Sequence, residues 1–158
     1  GELAQAGEWS EDRQLDWPPA KEDSPERGVQ TWVRDLNRLY RDEPALWEAD
    51  YDEAGFHWVN CEDRDASVLS FLRHDKSGAG TLLIVVNFTP VCRSGYRVGV
   101  PLLGRWEERL NSDAVIYGGS NTGSDGGREA EKQATDGFGQ SLAIELPPLA
   151  VVIFRLAK

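Results

Sequence analysis

The sequence predicts a mainly β protein: an antiparallel β-sandwich preceded by a loop and one helix. From Tyr51 onward, about seven short apolar runs alternate with turn residues, and no helical period separates them. One of these runs, residues 82–88 (LLIVVNF), is apolar on both faces, which is typical of a central strand. Before Tyr51 the chain has a single segment with the apolar spacing of a helix.

The first 26 residues are predicted to form a loop, because charged residues and tryptophans alternate there with turn signals such as Ser24-Pro25. A helix follows, with Gly28 near its start and polar residues on its other face. Pro44 is expected to stop it, since proline cannot continue a helix. Its apolar positions recur at i, i+3, i+4 and i+7: Val29, Trp32, Val33, Leu36, Leu39 and Tyr40.

The second part of the chain contains the predicted strands and one long surface loop. The loop spans Tyr117 to Gly139, where glycine and polar residues dominate and no apolar periodicity remains. The strands are expected near Phe56–Asn60, Ser67–His74, Thr81–Thr89, Tyr96–Gly99, Trp106–Asn111, Ser141–Leu146 and Val151–Leu156.

Charge and hydropathy exclude two classes of partner. The chain has 17 Lys and Arg against 27 Asp and Glu, a formal net charge of -10, and its basic residues do not cluster. Nucleic acid would be repelled, whereas a neutral polyol would not. No run approaches the ~18 apolar residues of a membrane-spanning helix, so a membrane partner is not expected either.

The cysteines and histidines predict neither a metal site nor a disulfide framework. Cys61 and Cys92 have the spacing of neither, so they are expected to be free thiols in a reducing compartment, the cytoplasm. His57 and His74 stand in strand-like runs without a partner at metal-ligand spacing. The glycine-rich stretch lacks the Gly-Lys-Ser/Thr of a phosphate-binding loop. No metal and no cofactor are therefore expected.

Several segments, spread over nearly the whole chain, resemble one known family. GELAQAGEWSEDRQLDW at the start and VQTWVRDLNRLYRDEPAL after it are similar to the loop after the eighth barrel strand, and to the last barrel helix and its exit, in the glycogen branching enzymes of the α-amylase superfamily. DYDEAGFHWVN, SVLSFLRHD and VVNFTPV resemble the first part of their all-β domain. Its later strands are matched by RWEERLNSDAVIYGGSN and SLAIELPPLAVVIFR.

The resemblance implies that residues 1–50 end a (β/α)8 catalytic barrel and that 51–158 form a C-terminal all-β domain of the α-amylase type. The chain would then begin inside the barrel. Members of the family transfer α-1,4-glucan segments to a 6-hydroxyl, forming the α-1,6 branches of glycogen, by a retaining mechanism with two carboxylates. The implied partners are an α-glucan (glycogen or a maltooligosaccharide) and the catalytic barrel in cis.

Two alternatives remain open at this point. The chain could be a stand-alone glucan-binding module, or the tail of a debranching or trehalose-releasing enzyme of the same superfamily. None of the family's catalytic motifs occurs in these residues, so no catalytic residue is predicted. The neighbours Glu107 and Glu108 are not an acid–base pair, because adjacent strand residues point to opposite faces.

Trp9, Asp16 and Trp17, in the opening loop, are the predicted substrate-binding residues. Barrel active sites are built from the loops at the carboxyl ends of the strands, and the resemblance makes this the last of those loops. The two indoles could stack on glucose faces, and Asp16 or Glu8 could accept hydrogen bonds from sugar hydroxyls.

The other aromatic residues are predicted to be packing residues, since large aromatics dominate core energetics. For Trp58 and Trp106 a surface glucan platform is the alternative, and an exposed pair of aromatics on one sheet face would be its structural sign. The helix would lack its barrel partner and is expected to dock on the sandwich, alone or in a dimer. The predicted packing residues are Trp32, Trp47, Trp58, Phe88, Tyr96, Trp106 and Tyr117.

Overall fold

A computed structural model describes residues 4, 7–8, 10–14 and 24–157. These ranges contain one α-helix and eight strands. The strands form two antiparallel sheets. The larger has six strands in the order β1-β2-β3-β8-β5-β6, and the smaller has two, β4 and β7. The elements are α1 Pro25–Asp42, β1 Phe56–Asp63, β2 Val68–His74, β3 Thr81–Asn87, β4 Arg93–Val100, β5 Arg105–Asn111, β6 Gly127–Glu129, β7 Gln140–Leu146 and β8 Val151–Leu156.

Strand β3 lies in the middle of the large sheet and is buried on both faces, as its apolar sequence predicts. Leu83 and Val85 point into the core between the two sheets. Leu82 and Ile84 point to the opposite face. Because side chains alternate along a strand, a strand covered on both sides must be apolar at every position. The inner core joins the two sheets face to face, which confirms the predicted sandwich.

The outer face of the large sheet is covered by α1 and by the 3-10 helix Pro44–Leu46 that follows it. Leu39 of the helix packs with Leu82, Ile84 and Ile153 of the sheet. This confirms the expectation that the helix docks on the sandwich. The described domain therefore has three layers: the helix, the six-stranded sheet and the two-stranded sheet. None of its described helices is both long and apolar enough to cross a membrane.

A close approach near the start of α1 fixes how the helix lies on the sheet. A Cβ at Gly28 would lie 2.4 Å from the carbonyl oxygen of Tyr117, so only glycine fits there. The rings of Trp32 and Tyr117 meet edge to face with centroids 5.2 Å apart. The Tyr117 hydroxyl donates to Asp35 at 3.1 Å. Burial and that carboxylate raise the pKa of Tyr117 to about 12.

The helix begins earlier than its apolar period predicts. Ser24 is its N-cap, accepts a hydrogen bond from the Arg27 amide, and is followed by Pro25 at the first helical position. Serine followed by proline favours a helix start. The serine hydroxyl accepts a hydrogen bond from a backbone amide that has no partner within the helix, and proline has no N–H that would need such a partner. The prediction of a loop through residue 26 is wrong at Pro25 and Glu26, which are helical, since Ser-Pro is also typical of a turn.

The predicted loop from Tyr117 to Gly139 is wrong over a short stretch. Strand β6 lies inside it and pairs with the edge of β5. Ser124 is fully buried there, and its amide donates to Glu108 Oε2 at 2.9 Å. The Ser124 hydroxyl in turn accepts from the Glu145 amide at 3.1 Å. Backbone and polar contacts hold this segment, and such contacts leave no apolar period in a sequence.

Candidate functional site

The three predicted substrate-binding residues, Trp9, Asp16 and Trp17, lie outside the described residues. Glu8 is described and is exposed to solvent. The candidate site that the structure presents is on the outer face of β1 and β2, where three aromatic rings meet.

We call this cluster, Phe56, Trp58 and Phe71, the aromatic platform. Phe56 and Trp58 are two residues apart on β1 and share a face, and Trp58 pairs directly with Phe71 of β2. The Phe56 and Phe71 rings are stacked, with centroids 5.3 Å apart. The Trp58 indole meets both phenyl rings edge to face, at 4.9 Å from Phe56 and 5.7 Å from Phe71.

The platform is rigid on one side and open on the other. Its rings support one another, yet Trp58 keeps 48% and Phe56 37% of its surface exposed. Strand β1 is the edge strand of the large sheet. An exposed, fixed aromatic surface is suited to a flat ligand with an apolar face, and a pyranose ring has such a face.

Arg73 holds a polar rim beside the platform. It follows Phe71 by two residues on the same face of β2, and its guanidinium donates to the carbonyl oxygens of Ala45 and Leu46 at 3.3 Å. It also forms an ion pair with Asp50 at 2.7 Å. The Asp50 side chain is 44% exposed, so its carboxylate can still accept hydrogen bonds from a ligand on the platform.

The structure separates the predicted packing aromatics into two groups. Trp106 is fully buried in the inner core, and Tyr96 packs against the same core, as predicted. Trp32 and Tyr117 pack partly buried against the outer cluster. For Trp47, Trp58 and Phe88 the prediction is wrong: they are 43%, 48% and 59% exposed.

The reason for these errors is position in the fold. A strand prediction for Trp58 does not say whether the outward face of β1 is covered. Trp47 and Phe88 lie just beyond the ends of the 3-10 helix Pro44–Leu46 and of β3. Phe56 and Phe71 were not predicted as site residues, although two aromatics at i and i+2 on an edge strand were an available signal.

Glu107 and Glu108 do not converge, which confirms the prediction for this pair. Glu107 lies 3.7 Å from the guanidinium of Arg109 on the outer face. Glu108 instead accepts from the Ser124 amide and the Asn111 side chain. Among the described residues, no group of three or more His, Cys, Asp or Glu side chains could hold a metal ion.

A second apolar side of α1 faces away from the sheet. The residues that dock on the β domain, Gly28, Trp32 and Leu39, share one side of the helix. Leu36 and Tyr40 lie on the neighbouring side and are 38% and 51% exposed. The helix is therefore apolar over a wider arc than the β domain covers.

Comparison with protein families gives one match that covers most of the chain. The model described as "Alpha amylase, C-terminal all-beta domain" matches residues 58–157. A crystal structure of a MutB mutant in complex with glucose superposes with a TM-score of 0.51 at 19% identity. That match covers 89% of this chain and 19% of the other, and it shows a shared fold.

Individual relatives are more similar still. A 1,4-alpha-glucan branching enzyme GlgB of Aromatoleum aromaticum is 51% identical over 96% of this chain and 24% of its own length. That of Cupriavidus pinatubonensis is 52% identical over 99% of this chain and 21% of its own length. The GlgB of Pseudomonas fluorescens is 51% identical over 98% and 20%. The chain thus spans a quarter or less of the length of these relatives.

Proposed function

Since the chain belongs to the family of alpha-amylase C-terminal all-beta domains, we propose that it is the non-catalytic C-terminal part of a glycogen branching enzyme. The parent transfers α-1,4-glucan segments to a 6-hydroxyl and forms α-1,6 branches. The single observation that supports this best is the match of 96–99% of the chain, at 51–52% identity, to GlgB branching enzymes. The similarity extends through α1, before the family match begins at residue 58.

Within this proposal the chain has two parts with different attachments. Residues 1–50 end the catalytic barrel, and 51–158 form the all-β domain. The barrel in cis occupies the second apolar side of α1, at Leu36 and Tyr40. The exposed free thiols of Cys61 and Cys92 support a reducing compartment, the cytoplasm, for the parent.

A charge at Leu36 tests the barrel contact. In the full-length enzyme, Leu36→Asp is expected to lower stability by more than the ~1.5–3 kcal/mol of one buried leucine, because it also buries an unpaired charge. In the 158-residue chain, where Leu36 is already 38% exposed, the change should be small. Thermal unfolding of both proteins measures the difference.

The matched control is Asn37→Asp, the same new charge on the neighbouring, exposed position of the helix. It should leave both proteins unchanged. If Leu36→Asp destabilises the short chain as much as the full-length enzyme, the barrel does not cover this side of α1.

The second role that we propose is to hold the glucan on the aromatic platform. An α-1,4-linked chain offers successive pyranose faces to the rings of Trp58 and Phe56, and Asp50 accepts from its hydroxyls. A neutral polymer suits a chain of net charge -10, which gives no attraction to an anionic one. The parent would thereby keep its substrate near the barrel while the segment is transferred.

Trp58→Ala tests the platform. Loss of the indole is expected to weaken maltoheptaose binding to the 158-residue chain about tenfold, the effect of ~1.4 kcal/mol from one stacked aromatic. Isothermal titration calorimetry measures it. Phe88→Ala, which removes an aromatic side chain that is 59% exposed at the other end of the large sheet, is the control and should not change the affinity.

If the Trp58→Ala variant binds maltoheptaose as tightly as the unsubstituted 158-residue chain does, the platform does not bind glucan. Titration with glycogen also separates the alternatives. A stand-alone glucan-binding module should bind glycogen as tightly without the barrel as the full-length enzyme does. A C-terminal part that only assists the barrel in holding the glucan should bind glycogen more weakly than the full-length enzyme does.

A further inference from the structure

A groove lies on the opposite face of β1 from the aromatic platform. Its volume is about 310 Å³, and its lining includes Glu53, Phe56, His57, Leu72, His74 and Phe138. This is the lower end of the ~300–1,000 Å³ range of small-molecule pockets, so the groove has room for a ligand of about one sugar ring. Phe56, at the start of β1, borders both the groove and the platform.

The aromatic wall of the groove is held in place by the turn that ends at Phe138. Thr135 and Phe138 bridge each other, and Asp136 between them has a left-handed backbone with φ 50°. The Asp136 carboxylate accepts from the Asn60 side chain and the Gly99 amide, both at 2.9 Å. These bonds fix the turn on β1 and β4.

Gly99 allows this close approach. A Cβ on that residue would lie 2.6 Å from the Thr135 carbonyl oxygen and 2.8 Å from the Phe138 ring. The Phe138 ring consequently meets the His57 imidazole edge to face, with centroids 5.8 Å apart. The wall is thus formed before any ligand arrives, which lowers the ordering cost of binding.

The polar groups of the groove suit hydroxyls better than charges. His74 Nδ1 lies 3.0 Å from Thr81 Oγ1, which orients the ring and leaves Nε2 as its other hydrogen-bonding atom. Burial and the neighbouring His57 hold the pKa of His74 below its usual range, although Asp75 opposes this. A neutral imidazole both donates and accepts, as a sugar hydroxyl does. Glu53 adds an acceptor and disfavours an anion.

We propose that this groove is a second carbohydrate site, which binds one glucosyl residue of an α-glucan chain whose neighbouring residues lie on the platform. The ring would pack on Phe138 and bond to His74 and Glu53. Phe56 would join the two sites around the edge of β1, so a chain could wrap that edge. The proposal extends the glucan-holding role proposed above and can fail independently of it.

Two sets of NMR signals separate the two sites. The chain has two histidines in all, and both line the groove, so the imidazole signals report on the groove. The indole N–H of Trp58 reports on the platform. Maltose titrated into the 158-residue chain is expected to shift both histidine signals. Shifts of Trp58 without the histidines overturn the groove but leave the platform standing. Shifts of the histidines without Trp58 overturn the platform and the path between the two sites, but leave the groove as a binding site.

Three variants complete the test. Phe138→Ala should weaken the maltose affinity read from the histidine signals about tenfold, the loss of one aromatic wall, with the Trp58 response kept. Ala54→Leu, at an exposed rim position, should block the groove without disturbing the core. Trp58→Ala should leave the histidine shifts in place. Unchanged affinity in both Phe138→Ala and Ala54→Leu, or loss of the histidine shifts in Trp58→Ala, overturns the proposal.

Discussion

Replacing Trp106 with alanine is expected to lower the free energy of unfolding by about 4 kcal/mol, the largest effect of any single change considered for this chain. Trp106 is fully buried on the inner face of β5, in the core that joins the two sheets. Its indole N–H donates to the Leu102 carbonyl oxygen at 3.2 Å. Truncation would leave a cavity between the sheets and an unpaired carbonyl. Urea unfolding, monitored by far-ultraviolet circular dichroism, measures this loss of unfolding free energy.

Trp58→Ala is the matched control, because it removes the same atoms from a side chain that is 48% exposed. It should cost about 1 kcal/mol or less, since its surface is already in contact with water and no closed cavity forms. The slope of the unfolding free energy against urea should be the same in both variants. Similar losses at the two positions would show that Trp106 is not in the shared core.

These two tryptophans also show what could be predicted from the sequence. Both lie in short runs between turn residues, and those runs are correctly predicted as strands. A strand prediction does not say whether the outward face of the strand is covered by another layer. Trp106 points between the sheets, whereas Trp58 points outward from the edge strand β1 and is 48% exposed. Burial here depends on strand order, which is a long-range property.

The central strand and the helix were easier to predict, because their own apolar patterns require cover. The unbroken apolar run from Leu82 to Val86 in β3 requires cover on both faces, and the structure supplies it with the two-stranded sheet and α1. The short strand β6 was missed because it is three residues long and is held by pairing with β5. Local patterns carry no information on such a contact.

The candidate sites differ in how much of them local patterns contain. Two of the three platform residues, Phe56 and Trp58, are visible in the sequence as aromatics at i and i+2. The groove is not visible at all, since it joins β1, β2 and a turn about 80 residues further along the chain. His57 and His74 stand far apart in the sequence, yet the pairing of β1 with β2 brings both to one groove.

The junction between the helix and the sheet depends on one buried charge, Glu43. Its side chain is 2% exposed, just after the end of α1, and accepts from Arg155 Nη1 of β8 at 2.9 Å. Arg109 of β5 is farther away, at 3.8 Å, and is 40% exposed. The backbone amide of Glu43 also donates to the Leu39 carbonyl oxygen and closes the last helical turn. The same residue therefore ends the helix and attaches it to the central strands.

Arg155→Ala is expected to cost about 3 kcal/mol, because it leaves a buried carboxylate without its close partner. Arg109→Ala should cost less than about 1 kcal/mol, since that pair is long and open to solvent. Urea unfolding of each variant gives the values. Replacing Glu43 and Arg155 together by methionine should recover most of the loss, because an apolar pair of similar size removes the unpaired charge as well as the ion pair. A double variant as unstable as Arg155→Ala would mean that the geometry of the ion pair itself, rather than the cost of a lone buried charge, holds α1 on the sheet.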